Sequence, residues 1–195
     1  MSEQLGRTTR LSAVNLILRS IGEREVSTLV NSTRGDVSGA VSELDNTSRI
    51  VQQEGWHFNH ETRTLGLQSD GRIQVPVSAL AIGVLGSSTP DEIIMRGEHF
   101  FNKTDSTYTF TDTIKVDLIF HLPFDDLPEP ARQYIAARAA RRVAQQRVGD
   151  QVLIQSLMQD EGTTRLALEN EELESADHNI FDSPELSRLH NTWLR

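Results

Sequence analysis

Cysteine is absent from all 195 residues. That removes disulfides, zinc–thiolate sites and any thiol nucleophile, and it fits a cytosolic product. Long apolar runs are missing too. Nothing approaches the roughly 20 residues that a bilayer crossing needs, so no membrane partner is expected. Met1-Ser-Glu-Gln-Leu-Gly-Arg7 has no apolar stretch of the kind a signal peptide needs, so secretion is not expected. The three matches to the glycosylation pattern, at Asn31, Asn46 and Asn102, therefore carry no weight. Positive charge is scarce: 19 Lys and Arg stand against 28 Asp and Glu, for a net charge of −9. A protein whose main work is gripping phosphates needs clustered cations, so sequence-specific DNA binding is not expected. A mildly repulsive channel wall, past which a polyanion slides, stays open. No glycine-rich phosphate loop is present, because Gly35 to Gly39 lacks a Lys-Ser/Thr ending. No Gly-x-Ser-x-Gly elbow occurs either. Repeats and low-complexity tracts are also missing.

What is present is a chain of 37% hydrophobic content and mean hydropathy −0.39, long enough to bury a proper core. Leu11, Val14, Leu18 and Ile21 recur at helical spacing and predict a short amphipathic helix. Thr8, Thr9 or Ser12 can cap its start, and Gly22 tolerates a left-handed stop. A second helix is predicted from about Arg34 to Glu54, with Val37, Ala40, Val41, Leu44 and Val51 on one stripe and Gly55 at its end. At Trp56 the period changes. Short alternating runs follow as far as His121, separated by turn signals at Asp70-Gly71, Gly86–Pro90, Gly97 and Asp105-Ser106. The clearest strand is 114–121, with Ile114, Val116, Leu118 and Phe120 facing one way; 80–86 and 93–96 are further candidates. A third helix starts near Pro130 and runs to about Val148. A fourth covers about Gln151 to Glu174, with Leu153, Leu157, Leu168 and Leu173 among its apolar positions and Gly162 as a point for a kink or break. Beyond Ser175 the chain reads as extended. The expected fold is therefore α+β: about four helices with a small inserted antiparallel β-domain. The expected parts are 1–56 (helical hairpin), 57–122 (β-rich insert), 123–175 (C-terminal helices) and 176–195 (extended arm).

Candidate chemistry is sparse. His57 and His60 flank Phe58-Asn59, but on a strand they point to opposite faces, which argues against a shared metal. Asp125, Asp126 and Glu129 could do acid–base work, yet acids at this place more simply favour the positive end of the helix starting at Pro130. No cofactor and no metal is expected. Charge is also segregated. Residues 131–148 hold Arg132, Arg138, Arg141, Arg142 and Arg147 with no acid, whereas 150–185 hold ten acids against Arg165. The two helices either pair across one antiparallel seam or place opposite charges on neighbouring subunits, where complementarity fixes register. The last residues, 177–195, carry Ile180, Phe181, Leu186, Leu189, Trp193 and Leu194. That is more large apolar surface than a solvated tail has reason to hold.

Leu11-Ser-Ala-Val-Asn-x-Ile-Leu-x-Ser-Ile-Gly-Glu23 resembles the opening of the tail tubular protein A family, adaptors of short-tailed, podovirus-type bacteriophages. Gly55-Trp-His-Phe-Asn-His-Glu61 resembles the family's Gly-Trp-x-Phe-Asn-x-Glu segment. Phe124-Asp-Asp-Leu-Pro-Glu-Pro-Ala-Arg-Gln-Tyr-Ile135 resembles its turn into a third helix, a turn also similar to those of other phage head–tail connectors. Residues 68–118 resemble the family little. The likeness implies a structural virion protein of the tail, assembled in the host cytoplasm, and not an enzyme. It implies a twelve-subunit ring between portal protein and tail nozzle (tail tubular protein B-like), an open lumen for DNA and tail-fibre attachment near the lower edge. With the charge segregation it points to Arg138 and Arg142 as interface residues; Phe181 and Trp193 are expected to anchor the arm on a neighbour or the portal. The rival readings are a small intracellular enzyme with a His or acid-cluster site, and a head-completion connector of another phage type.

Overall fold

The computed structural model describes residues 6–30, 34–85 and 92–181, with side chains described as far as residue 175. Four helices and five strands follow in the order α1 (Arg10–Ser20), α2 (Gly35–Gln52), β1 (His60–Leu65), β2 (Ala79–Leu85), β3 (Ile93–Arg96), β4 (His99–Asn102), β5 (Ile114–Phe120), α3 (Glu129–Arg147) and α4 (Gln151–Phe181). The fold is α+β. Two compact units divide the chain, one from 1–48 with 124–195 and the other from 49–123.

In the helical unit, α1 begins as its sequence suggests. Thr9 is the cap, in a reciprocal box with Ser12: the Thr9 N–H donates to Ser12 Oγ at 2.8 Å, and the Thr9 hydroxyl accepts from the Ser12 N–H. Its end is a left-handed stop. Gly22 has φ +76°, its N–H donates to Arg19 O at 3.0 Å, and the Glu23 N–H reaches Leu18 O at 2.9 Å. The buried face differs from the expected one: Ala13, Val14, Ile17 and Leu18 are buried, while Leu11 and Ile21 are half-buried. Adjacent pairs one turn apart make a wider stripe than a single i, i+3, i+4 row, which suits a helix set in a groove. On α2 Val37, Ala40, Leu44, Thr47 and Ser48 are buried in this unit and Val51 and Gln52 in the other, with Val41 half-buried.

α3 is buried nearly all round. Ala131, Ala136, Ala137, Ala139, Ala140 and Ala144 have almost no exposed surface, so α1 and α4 both pack against its backbone. α4 runs unbroken through Gly162 and continues to Phe181. Residues 176–181 are therefore helical where an extended arm was expected, because the Glu- and Ala-containing stretch before them propagates the helix. Only one side of α4 is covered: Ile154 and Leu168 are buried, whereas Val152, Met158, Leu166 and Leu173 are exposed. Of the apolar positions named from the sequence, Leu168 is buried and Leu173 faces solvent.

In the strand unit, β5 is the central strand of an antiparallel sheet ordered β1-β5-β2, and β3 pairs with β4 in a separate hairpin. Ile114, Val116 and Leu118 alternate into a core shared with Ile73, Val75 and Phe100. β1 and β4 had no specific sequence signal. β1 reads His-Glu-Thr-Arg-Thr-Leu and has no buried residue, so its position follows from backbone pairing with β5 rather than from its own pattern.

The Gly55–Glu61 segment forms the corner of this unit. Gly55, with φ +78°, approaches Ile119 so closely that a Cβ would lie 2.6 Å from its Cδ1. Asn59 is fully buried. Its amide donates to Gln52 O (2.8 Å) and Phe120 O (3.0 Å), while its Oδ1 accepts from the Trp56 N–H (2.9 Å). The Trp56 indole donates to Val51 O at 2.8 Å. Gln52 completes the knot by holding both backbone groups of Leu122, at 2.7 and 3.0 Å.

Candidate functional site

The α3–α4 seam gathers most of the helical unit's charge. Glu161 of α4 receives Arg141 and lies 3.8 Å from the Arg138 Nε. The Tyr134 hydroxyl, itself buried, accepts from Arg138 (2.7 Å) and Arg165 (2.9 Å), and both guanidinium groups sit near its ring. Arg142 turns the other way and pairs with Glu43 of α2. Arg138 and Arg142 are thus engaged inside one subunit, with side chains 22% and 32% exposed. Phe181 is the last residue of α4, and its side chain lies outside the described residues, as does the whole of Trp193.

Arg132 stands out in the sequence only as one of the arginines of 131–148. It is 2% exposed and donates to three backbone carbonyls: Leu127 O at 2.7 Å, Thr8 O at 3.0 Å and Asp125 O. The acids beside it bond the start of α1, although Glu129 itself lies in the first turn of α3. Glu129 accepts from the Thr8 N–H (2.8 Å) and hydroxyl (2.5 Å), and Asp125 accepts from the Arg10 N–H at 3.1 Å. Burial alone would push the Glu129 carboxyl up. The Thr8 and Gln133 hydrogen bonds and the Arg132 charge outweigh it and hold the group below the usual glutamate value. Glu129 and one carboxylate oxygen of Asp125 thus tie the start of α1 to the segment that leads into α3.

His60 belongs to a cross-strand pair: its Nε2 lies 2.8 Å from Asp117 Oδ1. Among the described residues no three His, Cys, Asp or Glu side chains converge as a metal site would need. No described helix is long and apolar enough to cross a membrane.

A groove of about 640 Å³ in the helical unit is bounded by α1, α3 and α4. Leu16, Ala136, Ala137 and Leu157 make its apolar floor, with Arg19 and Thr163 on its rim. The alanines of α3 are what leave this space. In the sequence they read only as good helix formers, and nothing there marks which of them faces a gap.

The helical unit is thus joined by internal ion pairs and the strand unit by backbone-directed amides. Residues 11–178 match the family model for tail tubular proteins, and the chain belongs to that family. It is 29% identical over 126 residues to tail tubular protein A of Klebsiella phage KP34, a match covering 65% of this chain and 66% of that relative. The chain thus spans just under two thirds of the relative's length. The family is one of structural proteins of phage tails.

Proposed function

We propose that this chain is the subunit of a head-to-tail adaptor: a twelve-membered ring between portal protein and tail nozzle in the virion tail, assembled in the host cytoplasm. DNA passes through its open lumen without sequence recognition, and a tail fibre attaches near its lower edge. The observation that carries this reading is the family match over residues 11–178, supported by the likeness to a protein named tail tubular protein A. The net charge of −9 agrees with a lumen that repels a sliding polyanion. In this reading the helical stretches 1–56 and 123–175 form the adaptor layer and 57–122 is an insert. The residues from Phe181 to Trp193 anchor the chain on a neighbour or the portal through their apolar side chains. Arg138 and Arg142 can join such a contact only by leaving Glu161, Tyr134 and Glu43, so the apolar anchors are the stronger candidates.

Negative-stain images of the purified chain, alone and mixed with its portal protein, test the reading. Closed rings seated on portal are expected. A compact monomer that ignores portal would sink it and return the enzyme reading to the front.

A further inference from the structure

We propose that residues 184–194 dock as an amphipathic helix in the groove between α1, α3 and α4 of a second copy of this chain. The proposal rests on the reading in which the residues after Phe181 anchor the chain outside itself, and it commits them to a neighbouring copy instead of the portal. Residues 182–195 lie outside the described ones, but their sequence carries a pattern. Ser183-Pro184-Glu185 is a helix-start signature: serine can cap, proline suits the first turn and an acid favours its positive end. From there Leu186, Leu189 and Trp193 recur at i, i+3 and i+7, with Leu194 beside them, so a helix carries all four on one face. Arg188 and Arg195 fall on the opposite face. Apolar anchors at that spacing are what a helix laid in a hydrophobic groove uses.

The groove supplies the matching surface. Its lining follows α1, a helix about 16 Å long, from Thr8 just ahead of it to Ser20 at its end. The anchors from Leu186 to Trp193 are spread over about 10 Å at 1.5 Å per residue. Leu16, Ala136, Ala137 and Leu157 give them an apolar floor. Charge agrees with this occupant. Arg19 on the rim is already paired with Glu25 at 3.2 Å, whereas the exposed Asp160 brings negative charge to the lining. Residues 186–195 hold Arg188, His190 and Arg195 and no acid, and His190 shares the anchors' face. Opposite charge steers the segment and helps to fix its register. Reach decides whose groove is filled. The α4 residue of the groove nearest to Phe181 is Thr164, seventeen residues back and about 26 Å away. From Phe181, a helix begun at Pro184 carries Leu189 no further than about 18 Å. The anchors therefore fall short of their own groove and enter a neighbour's. One copy gives its last segment and receives another at a separate place, a heterologous contact that closes into a ring when its rotation allows.

The chain has no cysteine, so a pair can be introduced without competing thiols. One variant carries Ser187→Cys beside the anchors, and a second carries Thr163→Cys at an exposed position of the groove lining. Mixed under mild oxidation, they should give a disulfide-linked heterodimer. Its yield should be at least ten-fold above that obtained when Asn46→Cys, exposed on α2 and outside the groove lining, replaces Thr163→Cys. Adding Leu189→Glu and Trp193→Glu to the first variant should abolish the cross-link. Both positions lie beyond α4, so the helical circular-dichroism signal of α1 to α4 should persist. A chain bearing both cysteines should form a ladder of linked copies. Yields equal to the Asn46 control, or a yield indifferent to the two glutamates, would overturn the proposal. A cross-link that forms within one copy at every dilution would overturn it too, by returning the segment to its own subunit. Rings that seat on portal without the cross-link would remove this contact and leave the adaptor reading standing. The cross-linked ladder without portal binding would do the reverse.

Discussion

Asn59 shows how one side chain can hold a turn that no hydrophobic pattern specifies. Its three hydrogen bonds satisfy the backbone of Trp56, Gln52 and Phe120 in a place that water does not reach. Leucine at this position matches its size and none of its polarity. Asn59→Leu should therefore cost about 2–4 kcal/mol, because buried groups left without partners lose about 1–3 kcal/mol each, partly relieved by relaxation. A shifted urea midpoint measures it; a midpoint equal to the parent's would show that the knot is dispensable. Glu129 acts at the same scale but depends on pH. Its carboxyl is held below its unfolded value, so the stability it adds is complete above the unfolded pKa and is lost as pH falls through the folded one. Parent and Glu129→Gln should differ most in urea stability near neutral pH and converge as the pH drops below about 4. A gap that stays constant down to pH 3 would refute the linkage.

Between elements, charge does its work inside the subunit. The arginines of α3 are divided, Arg141 and Arg138 toward Glu161 on α4 and Arg142 toward Glu43 on α2. The Arg142–Glu43 pair, with side chains 32% and 15% exposed, stands between the exposed pairs worth at most about 1 kcal/mol and the buried ones whose breakage costs about 3–5 kcal/mol. Arg142→Glu should cost about 1–3 kcal/mol, and Glu43→Arg added to it should restore much of that. A double-mutant cycle in urea reads the coupling; a coupling near zero would mean that Glu43 and Arg142 act independently. The basic helix and the acidic helix were visible as composition. Which acid each arginine meets within the chain was not, because that turns on the rotation of α3, which sets Arg138 and Arg141 toward α4 and Arg142 toward α2.

At the scale of the molecule, local chemistry was written in the chain wherever a few neighbouring residues suffice. A cap for α1 among Thr8, Thr9 and Ser12, the Gly22 stop, the alternation of β5 and the α+β order were legible, since each depends on positions a turn or a strand step apart. The motifs at 11–23, 55–61 and 124–135 likewise carry a resemblance to the family whose model matches residues 11–178. Other features needed the tertiary structure. β1 has no burial pattern of its own and exists through its pairing with β5. The acids at 125–129 reach the start of α1, a partner 115 or more residues away. The groove among α1, α3 and α4 exists because alanines let helices close on one side and leave space on the other. The exposure of Leu173 follows from α4 running on past the start of α3. In each case the deciding contact joins residues far apart in the chain, and short-range spacing holds no record of which distant surface a side chain will meet.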